Sequence, residues 1–295
     1  MSSVRSELIL RCNSCQEEVM SYSINADSFT RKGLWTLDEI LPMLAKIGFS
    51  ALDITPSYQR ADWNENAFKV KELCGSFGFE IHQTHAPFNR YGTHGDKYTE
   101  YLRRAYEITK IVDAKYFVVH GEEFDFDKYE PTYENMLEYN YRLFAPYVER
   151  AEADGIKLAF ECVFQEDGMP THRFCSKLDE LQALIEKFNS KNVCCCWDFG
   201  HANLAFGEKH ADAIRSMGSL IECTHIHDNY YERDLHLPVF MGKIDWDACR
   251  KAFREIGYSG NYNLEISMSY WNIPREMTEY YAKFMYDGLE RFVKG

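Results

Sequence analysis

The stretch THIHDNYYERDLHLPVFMGKIDW, residues 224–246, concentrates side chains that bind metals or move protons. It contains His225, His227 and His236, together with Arg233 and Asp234. Imidazole nitrogens and carboxylate oxygens are donors by which proteins hold divalent cations such as Mn²⁺, Zn²⁺ and Co²⁺. A surface loop could carry the same residues by chance, so their meaning depends on what the rest of the chain places beside them.

Polar residues of the same types fall at or near the carboxyl ends of several short apolar runs. Glu161 lies within KLAFECV and Glu265 within YNLEIS, where an unpaired carboxylate costs several kcal/mol. The runs FEIHQTH, KYFVVH and NVCCCWD end in His85, His120 and Asp198. Each residue alone could be structural, but together they form an oxygen and nitrogen cage suited to a divalent cation. Histidine 82 is expected to be structural, and histidines 94, 172 and 210 are expected at the surface.

The runs that carry these residues alternate with amphipathic segments along the chain. Strands are predicted at 18–24, 51–55, 79–85, 115–120, 157–163, 192–198, 220–227 and 262–267. Helices are predicted at 36–47, 63–77, 96–112, 132–153, 177–188, 208–217, 245–256 and 275–293. In TLDEILPMLAKIG, a threonine cap, an apolar stripe and a final glycine favour a helix despite the interior Pro42.

This alternation predicts an α/β fold, a single (β/α)8 TIM barrel whose strands all point their carboxyl ends at one mouth. An open doubly wound sheet is the competing layout, but no glycine-rich phosphate loop follows the first predicted strand. Since no linker or charge block marks a second domain, residues 1–295 are predicted to form one barrel domain. Residues 1–16 are predicted to be an N-terminal extension.

Composition restricts the class of partner. The formal net charge of −13 argues against a nucleic acid, because a polyanion is attracted by basic patches. No apolar run approaches the ~20 residues that cross a bilayer, and the first residues lack the apolar core of a signal peptide. The 10 cysteines form no regular framework. We therefore expect a cytoplasmic protein with free thiols that binds no membrane.

Seven motifs resemble, in order, those of the xylose-isomerase-like barrel superfamily, specifically its sugar phosphate isomerase/epimerase branch. They are THAPF (84–88), VVHGE (118–122), AFECV (159–163), WDFGHANL (197–204), HIHDN (225–229), DLHLPVFMGKIDW (234–246) and IGYSGNYNLEI (256–266). The resemblance implies a metal-dependent isomerase or epimerase that moves a proton next to the carbonyl of a sugar or sugar phosphate. One departure is PVFMG at 238–242, where the family often has Pro-Gly-x-Gly. The sugar, the ion and the choice between isomerisation and epimerisation stay open.

The resemblance also implies individual roles. The ketose 3-epimerases of this superfamily hold one metal with two glutamates, an aspartate and a histidine, and the matching residues are Glu161, Asp198, His227 and Glu265. Within the histidine pair of HIHDN, His225 is the alternative ligand to His227. The candidate substrate-binding residues are His201, Arg233, His85, His120 and His236. Glu161 and Glu265 are also the predicted acid–base pair, because their strands lie across part of the barrel mouth from each other.

Two other functions are compatible with the sequence. The superfamily includes apurinic-site endonucleases that hold three zincs with nine ligands, and the chain has a candidate for each: His85, His120, Glu161, Asp198, His201, His225, Asp234, His236 and Glu265. The acidic charge and the lack of evident basic loops argue against this function. The third hypothesis is a metal-binding barrel without catalysis. The favoured partner is a small-molecule carbohydrate, and association into a homo-oligomer stays open.

Overall fold

The protein is described by a computed structural model that covers residues 21–30, 33–88, 97–125, 132–267 and 273–295. Within these residues the strands are β1 (Tyr22–Asn25), β2 (Ala51–Asp53), β3 (Glu80–His85), β4 (Tyr116–Val119), β5 (Glu123–Asp125), β6 (Lys157–Glu161), β7 (Thr171–Arg173), β8 (Val193–Asp198), β9 (Ile221–His225) and β10 (Tyr262–Leu264). The helices are α1 (Asp27–Thr30), α2 (Leu37–Ile47), α3 (Trp63–Ser76), α4 (Tyr98–Ile111), α5 (Tyr133–Asp154), α6 (Leu178–Phe188), α7 (Phe199–Phe206), α8 (His210–Met217), α9 (Trp246–Glu255) and α10 (Thr278–Lys294).

Eight parallel strands form a nearly closed barrel in the order β10-β1-β2-β3-β4-β6-β8-β9. The gap between β9 and β10 is bridged just beyond β9, where Ile226 N donates to Asn263 O at 2.7 Å. Glu265 N then donates to Ile226 O at 3.1 Å. Helices connect the strands, so the predicted (β/α)8 TIM barrel is confirmed.

Local sequence explains the helix boundaries. In α2, Thr36 N donates to Glu39 Oε2 at 2.8 Å, which satisfies a backbone donor at the helix start. Pro42 lies inside this helix and does not end it. The longest helix, α5, begins with Thr132 accepting from Asn135 N and ends at Gly155, whose φ of 72° is the left-handed conformation that favours glycine.

The barrel interior below the mouth is filled by a small apolar cluster. Successive residues of a strand face opposite sides, so Cys194 and Cys196 point inward while Cys195 joins the core between strands and helices. The cluster consists of Tyr116, Val118, Ala159, Cys194, Cys196 and Cys223. The cysteines of the described part of the chain are all free and buried. The barrel therefore has a packed floor on which a polar site can sit.

Some features of the fold differ from the predictions. Strands β5 and β7 pair antiparallel in a separate two-stranded sheet, and α7 follows β8 directly. None of the three was predicted, because β5 (EFD) and β7 (THR) lack the apolar run of a buried strand and α7 (FGHANLAF) lacks an amphipathic pattern. His172 and His210 are buried rather than at the surface.

The structure describes only part of the chain, so some predicted features lie outside it and others are tested only within it. The proposed extension at 1–16 and histidine 94 lie outside the described ranges. Within those ranges, no helix combines the length and apolarity needed to cross a membrane.

Candidate functional site

Along the barrel strands, the inward-facing side chains are apolar at the floor and polar at the mouth. Two residues beyond the inward-facing Ala159, Cys196 and Cys223 lie Glu161, Asp198 and His225. All three polar residues are buried. The fold therefore positions these side chains by the same periodicity that packs the floor.

Four residues form one donor group at the centre of the mouth. Each offers one donor atom, and the four atoms lie within 4.8 Å of one another: Glu161, Asp198, His225 and Glu265. His225 Nδ1 lies 3.4 Å from Glu161 Oε2, 3.7 Å from Asp198 Oδ2 and 3.5 Å from Glu265 Oε2. We call this set the central cage.

Within the described residues, three atoms of the central cage are buried and make no hydrogen bond of regular geometry, although His120 Nε2 lies 2.9 Å from the second of them: His225 Nδ1, Glu161 Oε2 and Glu265 Oε2. Buried polar atoms are nearly always satisfied, so three unsatisfied atoms that face one point require an explanation. Oxygen and imidazole nitrogen donors around one point fit a divalent cation of the Mn²⁺, Zn²⁺ or Co²⁺ type.

The histidine of this group is His225, whereas the resemblance implied His227. Both side chains point inward because they are two residues apart, but His227 lies one level further along the mouth. Its Nε2 is 3.0 Å from Asp198 Oδ1, and its ring stacks on His236 with centroids 4.1 Å apart. Among the described donor groups, the one that unites Glu161 with Glu265 contains His225 and lacks His227. The geometry thus favours the alternative ligand.

A second donor group adjoins the central cage on the β3 and β4 side. It consists of His85, His120 and Glu161. His120 Nε2 lies 2.9 Å from Glu161 Oε2, so this glutamate is shared between the two groups.

Further donors adjoin the cage on the opposite side, around Asp234. His201 Nε2 lies 3.4 Å from Asp234 Oδ2, and His236 Nε2 lies 3.0 Å from the same oxygen. His201 also donates its backbone N–H to Asp198 Oδ1 at 2.7 Å, which ties α7 to the central cage. His236 has a left-handed φ of 46°, a strained conformation of the kind that clusters at functional sites.

The carboxylates and histidines shift each other's ionisation. Burial alone would raise the pKa of Glu161, but His225 and His120 outweigh it and bring that pKa well below its usual value. Burial would lower the pKa of His225, but Glu265 and Glu161 raise it well above its usual value. For His236, Asp234 likewise overcomes burial and raises the pKa to about 9. The negative field that holds protons on these rings also suits a divalent cation.

Beside the donor groups lies an open cavity of 670 Å³. Its polar lining includes Asn25, Thr55, Ser57 and Gln59. His85, His120 and Glu265 also line it, so the cavity is continuous with the proposed metal donors. Hydroxyl and amide side chains of this kind can exchange hydrogen bonds with a polyhydroxylated ligand.

Among the described residues, Arg233 is the one predicted site residue that lies outside both the donor groups and the lining of the cavity. It is exposed on the loop that follows β9, next to Asp234. Conversely, sequence reasoning missed Asp53, which ends β2 and is fully buried. Its signal was a carboxylate within the apolar run ALDIT, the same signal that identified Glu161.

Comparison with known proteins relates the chain to one family. The model of the xylose isomerase-like TIM barrel family matches residues 41–287. The chain is 27% identical over 239 residues to the uncharacterized protein MJ1311 of Methanocaldococcus jannaschii, an alignment that covers 78% of this chain and 79% of that protein. It is 36% identical over 85 residues to the uncharacterized protein y4fM of Sinorhizobium fredii, which covers 29% of this chain and 27% of that protein.

Solved structures share the fold. A D-tagatose 3-epimerase-like protein matches with a TM-score of 0.72 and 24% identity, over 93% of this chain and 98% of that chain. D-psicose 3-epimerase, solved in the presence of D-fructose, matches with a TM-score of 0.72 and 15% identity, over 94% and 100%. An IolI protein with a bound zinc atom matches with a TM-score of 0.73 and 17% identity, over 94% and 100%.

Proposed function

Because the chain belongs to the xylose isomerase-like TIM barrel family, we propose that it is a divalent-metal-dependent isomerase or epimerase of a sugar or sugar phosphate. The observation that carries this proposal is the convergence of three unsatisfied buried donor atoms in the central cage. The adjoining polar cavity supports a carbohydrate as the ligand. Proteins of the same fold include ketose 3-epimerases and a zinc-bound IolI protein, which supports the same activity.

The proposed metal ligands are those of the central cage: Glu161, Asp198, His225 and Glu265. The ion, Mn²⁺, Zn²⁺ or Co²⁺, would supply Lewis-acid stabilisation of the negative charge that develops on the substrate oxygens.

We assign proton transfer to Glu161 and Glu265. One carboxylate takes the proton from the carbon beside the substrate carbonyl, and the other group, as an acid, returns a proton on the opposite face. Glu265 lines the cavity, so its carboxylate is accessible to a substrate bound there. Glu161 lies deeper, with its side chain only 2% exposed, and is held between His120 and His201.

The remaining residues are assigned to substrate binding. His85 and His120 line the cavity and can bind substrate hydroxyls. His201 and His236 flank Asp234 at the other side of the cage and complete the polar mouth. Arg233, exposed on the neighbouring loop, would bind substrate oxygens from outside.

A panel of ketoses and ketose phosphates, incubated with the metal-loaded protein in D₂O, tests the proposal. We expect deuterium at the carbon beside the carbonyl of at least one sugar and its product, and loss of the exchange after chelation. Conversion without solvent exchange would instead indicate a hydride shift. If the fully metal-loaded protein converts none of the sugars, the remaining hypothesis is a metal-binding barrel without catalysis.

One observation favours a second candidate, a multi-zinc phosphodiesterase of the apurinic-site endonuclease type. All nine residues that match its ligands lie at the mouth, either in the described donor groups or in contact with them. The net charge of −13 opposes binding of DNA. We therefore expect no chelator-sensitive incision of duplex DNA that carries an abasic site, and efficient incision would reverse the ranking.

A further inference from the structure

Asp53 is a fully buried carboxylate whose surroundings differ from those of the other acidic residues at the mouth. Its Oδ2 accepts hydrogen bonds from three side-chain amides: Asn25 at 3.2 Å, Gln83 at 3.3 Å and Asn263 at 3.2 Å. These amides come from β1, β3 and β10. The carboxylate is therefore fixed in position by three different strands.

Two histidine nitrogens face the same oxygen. Asp53 Oδ2 lies 3.4 Å from His85 Nε2 and 3.9 Å from His225 Nε2. The two Nε2 atoms are 3.2 Å apart, and the imidazole rings stack with centroids 4.7 Å apart. Asp53 thus lies behind His225, on the side opposite the nitrogen that faces the central cage. Its distance from His225 Nε2 is longer than a hydrogen bond, so it acts on that ring as a nearby negative charge, with His85 as the nearer contact.

This arrangement defines which nitrogen of His225 can bind a metal. Its Nδ1 faces Glu161, Asp198 and Glu265, so its Nε2 must carry the hydrogen when Nδ1 is a ligand. A metal-binding histidine usually directs its other N–H at a carboxylate or carbonyl, which orients the ring and selects the tautomer.

We infer that Asp53 is a positioning residue, whose buried charge, together with the ring of His85, keeps His225 with Nδ1 directed into the central cage. The inference rests on the metal centre of the proposed function. Together with His85 and His225, Asp53 could also be taken for a metal-binding group. However, its Oδ2 already accepts hydrogen bonds from three amides, which leaves no free lone pair for a cation at that oxygen.

Binding of Co²⁺ to the full-length protein, first stripped of metal by chelation, tests this role. The changed variant is Asp53→Asn, which keeps the size of the side chain and removes its charge. We expect the affinity for Co²⁺ to fall about 10- to 100-fold, the usual effect of losing such a partner. The visible spectrum of bound Co²⁺ should also shift, because the ring of His225 is no longer held.

The matched control is Glu180→Gln. Glu180 is a buried carboxylate that lies 2.7 Å from His172 Nε2 and accepts from Cys175 N at 3.1 Å, outside the donor groups. This change should leave the affinity for Co²⁺ and the spectrum unaltered, even where it lowers the free energy of unfolding. An equal loss of affinity in both variants would contradict a specific role for Asp53.

A second variant covers the case in which Asp53→Asn does not fold. Gln83→Met removes one amide from Asp53 but keeps the carboxylate, so a loss of affinity of a few-fold is expected. If Asp53→Asn folds and its affinity for Co²⁺ and its spectrum are unchanged, the inference is overturned and the proposed function stands. If only Gln83→Met folds, the same result in that variant has the same consequence. No binding of Co²⁺ by the unaltered protein overturns both.

Discussion

Glu161 and Glu265 belong to one donor group but differ in their access to the cavity. The side chain of Glu161 is 2% exposed and that of Glu265 is 20% exposed. The difference suggests distinct tasks. Glu265 lines the cavity and would contact the proposed substrate directly, whereas Glu161 is enclosed by the histidines that contact it.

Replacement of either glutamate by glutamine tests these tasks. Glu265→Gln should lower turnover at least 100-fold, because general acid–base groups contribute about 10²–10⁴-fold. Glu161→Gln should lower it at least as much. Both variants should also weaken metal binding, since both glutamates are proposed ligands and each belongs to two donor groups. Steady-state rates, solvent deuterium wash-in and metal content are the measurements. Near-normal turnover of both variants with metal bound would refute the two-glutamate mechanism.

His210, which lies outside the donor groups, gives a prediction of pH dependence. Its Nε2 accepts from Trp197 Nε1 at 3.1 Å, and burial lowers its pKa to about 3. Below pH 6.5 the unfolded chain binds a proton that the folded protein excludes. Stability is therefore lost as the pH falls from 6.5 towards 3, by up to about 1.4 kcal/mol per pH unit.

The variant His210→Gln keeps an acceptor for the indole N–H but does not titrate. Urea unfolding of both proteins at pH 8 and at pH 5 measures this effect. Relative to the unaltered protein, the variant should gain about 2 kcal/mol of unfolding free energy between pH 8 and pH 5. The other titrating groups are common to both chains and largely cancel. A difference that does not change with pH would contradict the buried neutral state of His210.

The sequence predicted the site only as far as strand position allows. Because alternation determines which face a residue occupies, Glu161, Asp198 and Glu265 could be placed at the mouth in advance. The choice between His225 and His227 could not, since both share one face and differ only in depth. Asp53 was missed although it is a carboxylate within an apolar run, and its three amide partners, on three other strands, could not be foreseen from the sequence.

At the level of elements, helix α7 depends on a glycine. A Cβ atom at Gly200 would lie 1.8 Å from His227 Cε1, and the ring of His227 is fully buried. This close approach lets α7 start directly after Asp198 and brings His201 onto the central cage.

The substitution Gly200→Ala should therefore lower the free energy of unfolding by about 1–3 kcal/mol, the usual cost of overpacking. Gly75→Ala in α3 is the control, since a Cβ atom there meets nothing within 4 Å. It should be neutral or stabilising, because alanine favours a helix over glycine. Urea unfolding of the two variants measures both effects, and equal stabilities would contradict the packing of α7 against His227.

The elements that were predicted are those whose sequence has an apolar or an amphipathic pattern. Each of the eight barrel strands overlaps a predicted strand, because buried parallel strands appear as short apolar runs. The short pair β5 and β7 has no such signal, since its pairing joins residues 123–125 with 171–173, far apart in the chain.

For the whole molecule, the metal should stabilise the fold as well as support chemistry. An ion that binds only the folded protein adds about 2.7 kcal/mol when its concentration is 100 times the dissociation constant. We expect Zn²⁺, Mn²⁺ or Co²⁺ to raise the thermal midpoint of chelator-treated protein, and excess chelator to reverse the rise. Identical melting curves with and without each ion would contradict a preformed metal centre.

The most direct test of the central cage is the position of the ion, measured by anomalous X-ray scattering from crystals of protein loaded with Zn²⁺ or Mn²⁺. For zinc we predict an ion about 2.0–2.2 Å from His225 Nδ1 and from carboxylate oxygens of Glu161, Asp198 and Glu265, with slightly longer distances for manganese. A fully occupied ion bound elsewhere, with these four side chains apart, would contradict the account. An ion held by His227 in place of His225 would contradict the ligand assignment.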